Sequence, residues 1–293
     1  MKIVVSIPAY NEEKTLASVI KRINAVTKKL KHKSEVIVVD DGSTDKTAEI
    51  AKKAGAVVYS HPRNYGLGET FKTEIDKALE RKADVIVHID ADGQYMPEEI
   101  PLLLEKIEKG ADIVLGSRFK GRIEGMSLTK KAGNRIFSLI VSYIIKMNIS
   151  DAQTGFRAFT RKVAEETKIT SAFTYTQDQI IAISRKKFRI AEVPVTFLKR
   201  DGKSRLMKSP LDYGIRGGAN LIRLFRDYAP ITFFGSIGMA FIAAGLALGS
   251  WLLYRFLTLG AIGKTPSIIL TMLLLIIGLQ FILFGFYADR KRR

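Results

Sequence analysis

Apolar positions fall into two regimes along this chain. Through its longer N-terminal part, short runs rich in β-branched residues alternate with stretches whose apolar residues recur at helical spacing between charges. The short runs, residues 2–8, 35–39, 56–59, 85–89 and 113–116, predict strands. Residues 16–30, 44–54, 67–79 and a segment opening at Pro97 predict helices, proline being favoured at a first helical position. Strands alternating with helices of this length predict an α/β fold: a mostly parallel sheet with helices on both faces, binding ligands beyond the carboxyl ends of its strands. The strand exits are therefore where chemistry is expected.

The C-terminal part follows another rule. Residues 230–254 run for 25 positions without a charge, and residues 265–288 for another 24. At about 1.5 Å per helical residue, each exceeds the roughly 30 Å of a bilayer's hydrocarbon layer. A transmembrane helical hairpin over residues 229–293 is expected rather than two buried core helices. Arg216, Arg223 and Arg226 before the first span, and the tail Asp289-Arg290-Lys291-Arg292-Arg293 after the second, put both ends in the cytoplasm by the positive-inside rule. The opening strand is too short for a signal-peptide core, so residues 1–205 are expected as a cytosolic globular domain. Residues 185–226 hold twelve Lys or Arg against three acids, with Leu211, Ile215, Ile222 and Phe225 at near-helical spacing among them. That pattern predicts an amphipathic helix over 206–228 lying on an anionic membrane.

Charge narrows the partners. The 293 residues include 47 Lys and Arg against 29 acids, a net +18, so a polyanion is expected: nucleic acid, anionic lipid or a phosphorylated substrate. The absence of cysteine excludes disulfides and thiolate metal sites. His32, His61 and His88 fit no zinc spacing and read as structural or surface residues, which leaves oxygen as the main donor to any metal.

The first strand exits into Pro8-Ala9-Tyr10-Asn11-Glu12-Glu13, not into a glycine-rich dinucleotide turn. The second exits into Asp40-Asp41-Gly42-Ser43-Thr44-Asp45 and the fourth into Asp90-Ala91-Asp92-Gly93-Gln94. Acids two apart after a buried strand suit Mg²⁺ or Mn²⁺, which take carboxylate, carbonyl and water oxygens and leave positions for substrate phosphates. Singly, these residues also fit turns, N-caps and helix-start acids. Three acid-bearing exits along one sheet edge favour a site. Gly66-Leu67-Gly68 reads as a turn before a helix.

These motifs, in this order, resemble the inverting family 2 glycosyltransferases of GT-A (Rossmann-like) fold, and among them the polyprenyl-phosphate sugar synthases, which include the dolichyl-phosphate mannose synthases. The resemblance continues through Gly116-Ser117-Arg118-Phe119, Thr154-Gly155-Phe156-Arg157 and Glu192-Val193-Pro194, covering roughly the first 205 residues. It implies transfer of one sugar from GDP-mannose, UDP-glucose or UDP-N-acetylglucosamine to dolichyl or polyprenyl phosphate. By the same resemblance Pro8, Tyr10, Asn11, Glu12, Asp41, Asp90 and Ala91 hold the nucleotide-sugar, and Asp90, Asp92 and Gln94 the metal. Arg200 and Lys203 belong to a loop closing over the donor diphosphate. Arg118, Lys130, Asn134 and Arg135 meet the lipid phosphate, and Asp178 is an orienting acid, so Asp92, Arg118 and Asp178 form the catalytic set.

Charge supports that acceptor. Arg118, Lys120, Arg122, Lys130, Lys131 and Arg135 face only Glu124 and precede an apolar stretch at 136–145, which suits a lipid with a phosphate head. A phosphate monoester is already largely ionised near neutral pH, so it attacks without a strong general base. Three alternatives stand beside this reading. A processive polysaccharide synthase would carry a Gln-x-x-Arg-Trp motif, whereas the one tryptophan, Trp251, lies in the first span. A nucleic-acid-binding membrane protein would find its phosphates repelled by the acids at the strand exits, so no nucleic-acid partner is expected. The third is a catalytically silent lipid-binding protein. A homo-oligomer is compatible with all of these.

Overall fold

The computed structural model describes residues 1–167, 175–199, 222–223, 225–260 and 265–290. The chain divides into two compact units, Met1–Ser204 and Arg205–Arg293. The expected juxtamembrane helix over 206–228 falls largely outside the described residues, and Arg200 and Lys203 fall wholly outside them.

In the first unit, strands β1 (Lys2–Ala9), β2 (Lys33–Asp40), β3 (Val57–Ser60), β4 (Val85–His88), β5 (Ile113–Ser117), β6 (Arg157–Thr160) and β7 (Ile190–Pro194) form one sheet in the order β3-β2-β1-β4-β6-β5-β7. Every pairing is parallel except those of β6, which runs against both β4 and β5. Helices α1 (Leu16–Thr27), α2 (Thr47–Lys53), α3 (Leu67–Glu80), α4 (Ile100–Glu108), α5 (Leu128–Ile145), α6 (Arg161–Glu166) and α7 (Thr176–Arg185) connect the strands. Strand β1 is buried from Ile3 onward, as a central strand covered on both faces must be, and its sequence is accordingly an almost unbroken apolar run. Helix α1 turns Leu16, Val19, Ile20 and Ile23 to the core, the spacing of a single helical face.

Two differences from the sequence reading have local causes. Helix α2 starts three residues later than expected, because the Thr44 and Asp45 N–H groups both donate to Asn11 Oδ1 and hold that segment as a loop. Strands β6 and β7 escape periodicity because a charge interrupts each: β6 opens on a buried arginine, Arg157, and β7 carries Glu192 at its centre. The reversal of β6 matters for the site. Its entry lies at the edge where β1, β2, β4 and β5 exit, so the loop before it joins that edge.

The second unit holds α8 (Pro230–Leu259) and α9 (Thr265–Arg290), 30 and 26 residues long, apolar enough to cross a membrane and largely exposed. They pack through glycine. A Cβ on Gly238 would lie 2.6 Å from the Gly278 carbonyl oxygen, and one on Gly278 2.8 Å from that of Gly238. Small residues let the two backbones approach, the usual basis of packing between helices in lipid.

Candidate active site

The exits of β1 and β2 are tied together through Asn11. Its backbone lies in the left-handed region at φ 54°, which asparagine tolerates better than most residues, and its N–H donates to Ser43 Oγ at 2.8 Å. The Glu12 N–H donates to Thr47 Oγ1 at 2.8 Å. Pro8 is buried within β1, while Tyr10 stands 38 % exposed. Asp41 is buried and already engaged: Oδ1 lies 2.7 Å from His61 Nδ1 and accepts the Tyr65 N–H, and Oδ2 accepts the Gly66 N–H at 2.9 Å. Asp41 therefore shapes the loop leading into α3. Gly42 is required beside it, since φ is +71° and a Cβ would stand 2.4 Å from the Arg63 carbonyl carbon.

The exit of β4 is the most convergent point. Asp92 Oδ1 accepts the Gln94 N–H at 3.0 Å, and Gln94 Nε2 donates to the Leu198 carbonyl at 2.8 Å, which leaves Gln94 Oε1 available as a ligand oxygen. Asp90 lies against the entry to β6: a Cβ on Gly155 would fall 2.4 Å from Asp90 Oδ2. Tyr95 secures the same junction, its hydroxyl accepting the Gly155 N–H at 3.1 Å, and burial pushes its pKa up to about 12. Ala91 is buried between the two acids.

Behind Asp90, His88 sits fully buried, Nδ1 2.6 Å from Glu74 Oε2 and Nε2 2.6 Å from Tyr175 Oη. Burial alone would lower the imidazole pKa. The Glu74 charge and the Asp90 carboxylate, 3.8 Å away, outweigh it and raise the pKa to about 9.

Arg118 follows β5 and is buried on Asp151: Nε donates to Oδ2 at 2.7 Å, Nη2 to Oδ1 at 2.8 Å, and the Arg118 N–H to Oδ2 at 3.0 Å. The guanidinium carbon lies 5.1 Å from the Phe197 ring centre, within the field of Asp90. Asp151 is held in turn by a loop on which Glu192 Oε1 accepts the Ser150 and Asp151 N–H groups. On α5, Lys130 and Arg135 are exposed, Arg135 lying 5.3 Å over the Phe119 ring, whereas Asn134 is buried. Asp178 is buried in the first turn of α7, where the helix dipole favours a negative charge.

Comparison with known proteins decides the family. The sequence profile described as Glycosyl transferase family 2 matches residues 4–168, more than half of the chain. The chain belongs to glycosyl transferase family 2. Among relatives of this glycosyltransferase, a dolichyl-phosphate hexose transferase of Haloferax volcanii is 31% identical over 217 residues, 73% of this chain and 90% of the relative. A polyprenol monophosphomannose synthase of Mycolicibacterium smegmatis is 28% identical over 234 residues, 73% and 87% of the two chains. The glycosyltransferase AglJ of Haloferax volcanii aligns over 96% of this chain and 91% of its own, at 28% identity. In fold the chain resembles glucosyl-3-phosphoglycerate synthase from Mycobacterium tuberculosis, solved with Mn²⁺ and UDP-glucose, at a TM-score of 0.59 and 22% identity over 76% of this chain and 78% of that one.

Asp90, Asp92 and Gln94 would offer carboxylate and amide oxygens from one loop to a hard cation, and among the described residues no group of three His, Asp or Glu is placed to hold a metal by itself. Sequence reasoning passed over Asp151, Glu74 and Tyr175 and gave His61 and His88 no role. The one available signal was Asp151 three residues before Thr154-Gly155-Phe156-Arg157.

Proposed function

We propose that this family 2 glycosyltransferase moves one sugar, with inversion, from a nucleotide-sugar such as GDP-mannose, UDP-glucose or UDP-N-acetylglucosamine to dolichyl or polyprenyl phosphate. Both termini and the catalytic unit are cytoplasmic in this reading, and α8 and α9 are the spans. The acceptor class is supported by relatives named as a dolichyl-phosphate hexose transferase and a polyprenol monophosphomannose synthase.

The observation that carries the reading is the convergence on Asp90, which is flanked by Asp92 and Gln94, backed by His88 and lies within the field of Arg118. Asp90, Asp92 and Gln94 would hold Mg²⁺ or Mn²⁺, which offsets charge growing on the leaving diphosphate. Tyr10, Asn11, Glu12 and Asp41 hold the nucleotide end of the donor. Arg118 presents phosphate-binding capacity despite its partner: a guanidinium has five N–H donors, and Asp151 takes one from Nε and one from Nη2. Three remain for an acceptor phosphate, with Lys130, Asn134 and Arg135 alongside on α5. Asp178 orients the acceptor, and positioning dominates because the attacking phosphate is already ionised.

Helix α5 adds a second support. Leu128, Ile136, Leu139 and Tyr143 are exposed along it at near-helical spacing, beside the exposed Lys130 and Arg135. Such a face suits the surface of a bilayer that holds the acceptor's tail. The deciding experiment incubates the purified protein with Mn²⁺, polyprenyl phosphate and a panel of labelled GDP- and UDP-sugars. A single sugar appearing on lipid supports the proposal; polymer formation, or no transfer with any donor, refutes it.

A further inference from the structure

Beneath Asp90 the protein buries more polarity than a sheet-to-helix contact needs. Ser6, His88 and Arg157 are register neighbours on β1, β4 and β6 and so share one face of the sheet. Glu74 of α3, with Tyr175 and Gln179 at α7, is buried with them. His88 bridges the two helices, since its ring nitrogens lie 2.6 Å from Glu74 Oε2 and 2.6 Å from Tyr175 Oη. Tyr175 is fixed on its faces as well, stacked on Phe71 at 4.0 Å and covered by the Arg157 guanidinium at 5.2 Å. Arg157 is itself anchored to Gln179 Oε1 at 2.9 Å. Ser6 Oγ, Glu74 Oε1, Arg157 Nε and Gln179 Nε2 find no hydrogen-bond partner among the described residues.

Such a seam is a poor stabiliser. Buried charge pairs regain little beyond the hydration they lose, and unmet polar atoms regain nothing, so apolar side chains of equal volume would bind α3 and α7 to the sheet at least as well. What hydrogen bonds add is direction: they fix the reach and angle of groups that apolar packing leaves free to slide. Just past the end of this chain, 3.8 Å from His88 Nε2, stands Asp90 Oδ1, so the last link is an ion-pair contact rather than a hydrogen bond.

We propose that Glu74, His88 and Tyr175 are positioning residues that hold the Asp90 carboxylate in fixed relation to α7, the helix that carries Asp178. This rests on the reading of Asp90 as a donor contact. The arrangement links the loop that meets the nucleotide-sugar to an acid on α7 through one buried chain, so that the two keep their separation as the sugar moves.

The test uses the full chain in detergent, with Tyr175→Phe, His88→Gln, His88→Leu, the core control Phe159→Leu, and Asp90→Ala. GDP and UDP affinities are measured by calorimetry with Mn²⁺ and with EDTA, beside kcat and KM for lipid-linked sugar formation. Tyr175→Phe is expected to lower nucleotide affinity in Mn²⁺ or kcat by about tenfold or more, the usual effect of removing an outer partner of a ligating group, with the acceptor KM unchanged. His88→Gln keeps a donor near the Nε2 position and retains more activity than His88→Leu. Phe159→Leu lowers the melting temperature alone. If Tyr175→Phe and His88→Leu behave as Phe159→Leu does while Asp90→Ala is inactive, the positioning role is overturned and the site reading stands. Full activity in Asp90→Ala overturns both.

Discussion

Gly155→Ala separates stability from chemistry. The added Cβ would lie 2.4 Å from Asp90 Oδ2 and 2.9 Å from both Cγ and Oδ1, so the carboxylate must retreat by about 1 Å to reach ordinary contact. The carboxylate can yield on its exposed side, since the side chain is 35% exposed and the clash involves its far end, but only by leaving its 3.8 Å contact with His88 Nε2. Gly155 does not lie in the left-handed region, and its N–H bond to Tyr95 survives the change, so alanine is backbone-compatible there. Replacing such a glycine stiffens the unfolded chain and gains about 0.4–1 kcal/mol, which roughly offsets the local crowding. Stability is therefore expected to change by less than ~1 kcal/mol. A reactive group displaced by about 1 Å forfeits on the order of 10²-fold in rate, equivalent to ~2.7 kcal/mol of barrier. The assay pairs urea denaturation with transfer of labelled sugar to polyprenyl phosphate. Transfer within twofold of wild type at unchanged stability would refute the placement of Asp90, and a large loss of stability would refute the argument that its carboxylate yields.

Gly42→Ala is the converse case, because its clash is with the Arg63 backbone at positive φ; stability should fall by about 1–3 kcal/mol in the same denaturation assay. Asp151→Ala strands the buried Arg118 charge and is expected to cost about 3–5 kcal/mol by chemical denaturation, with activity lost in parallel. Leu139→Glu, on the exposed face of α5, should raise KM for long-chain polyprenyl phosphate in bilayers by roughly tenfold, on the scale of one leucine side chain's burial, while a short water-soluble acceptor reacts as before. EDTA is expected to abolish transfer and Mn²⁺ to restore it, without any change in the circular dichroism melting curve; activity that survives chelation would refute metal involvement.

The chain's periodicity revealed the parallel core because both signals it needs are local. A strand such as β1 announces itself by a run of buried β-branched residues, and α1 by the four-residue set Leu16, Val19, Ile20 and Ile23. The acids at the exits of β2 and β4 were legible for the same reason, each motif lying within a few consecutive positions. Strand β6 was not legible, since its direction is set by the neighbours that receive it, and Arg157, read only as the end of the Thr154-Gly155-Phe156-Arg157 motif, owes its burial to Tyr175 and Gln179 packed over it.

The unread half of the site shares one property: its partners are far apart in sequence. Arg118 meets Asp151 across 33 positions, Asp41 meets His61 across 20, and His88 meets Tyr175 across 87. No window on a single chain shows such pairs, because the topology that creates them is itself nonlocal. It also reverses one emphasis. Read alone, Arg118 is a cation awaiting a phosphate; in the fold it is first the partner of a buried carboxylate, and that partnership fixes the direction of its remaining donors. A lysine there would keep the charge and lose the fork, so the phosphate recognition proposed for this position would depend on Asp151 as much as on the cation.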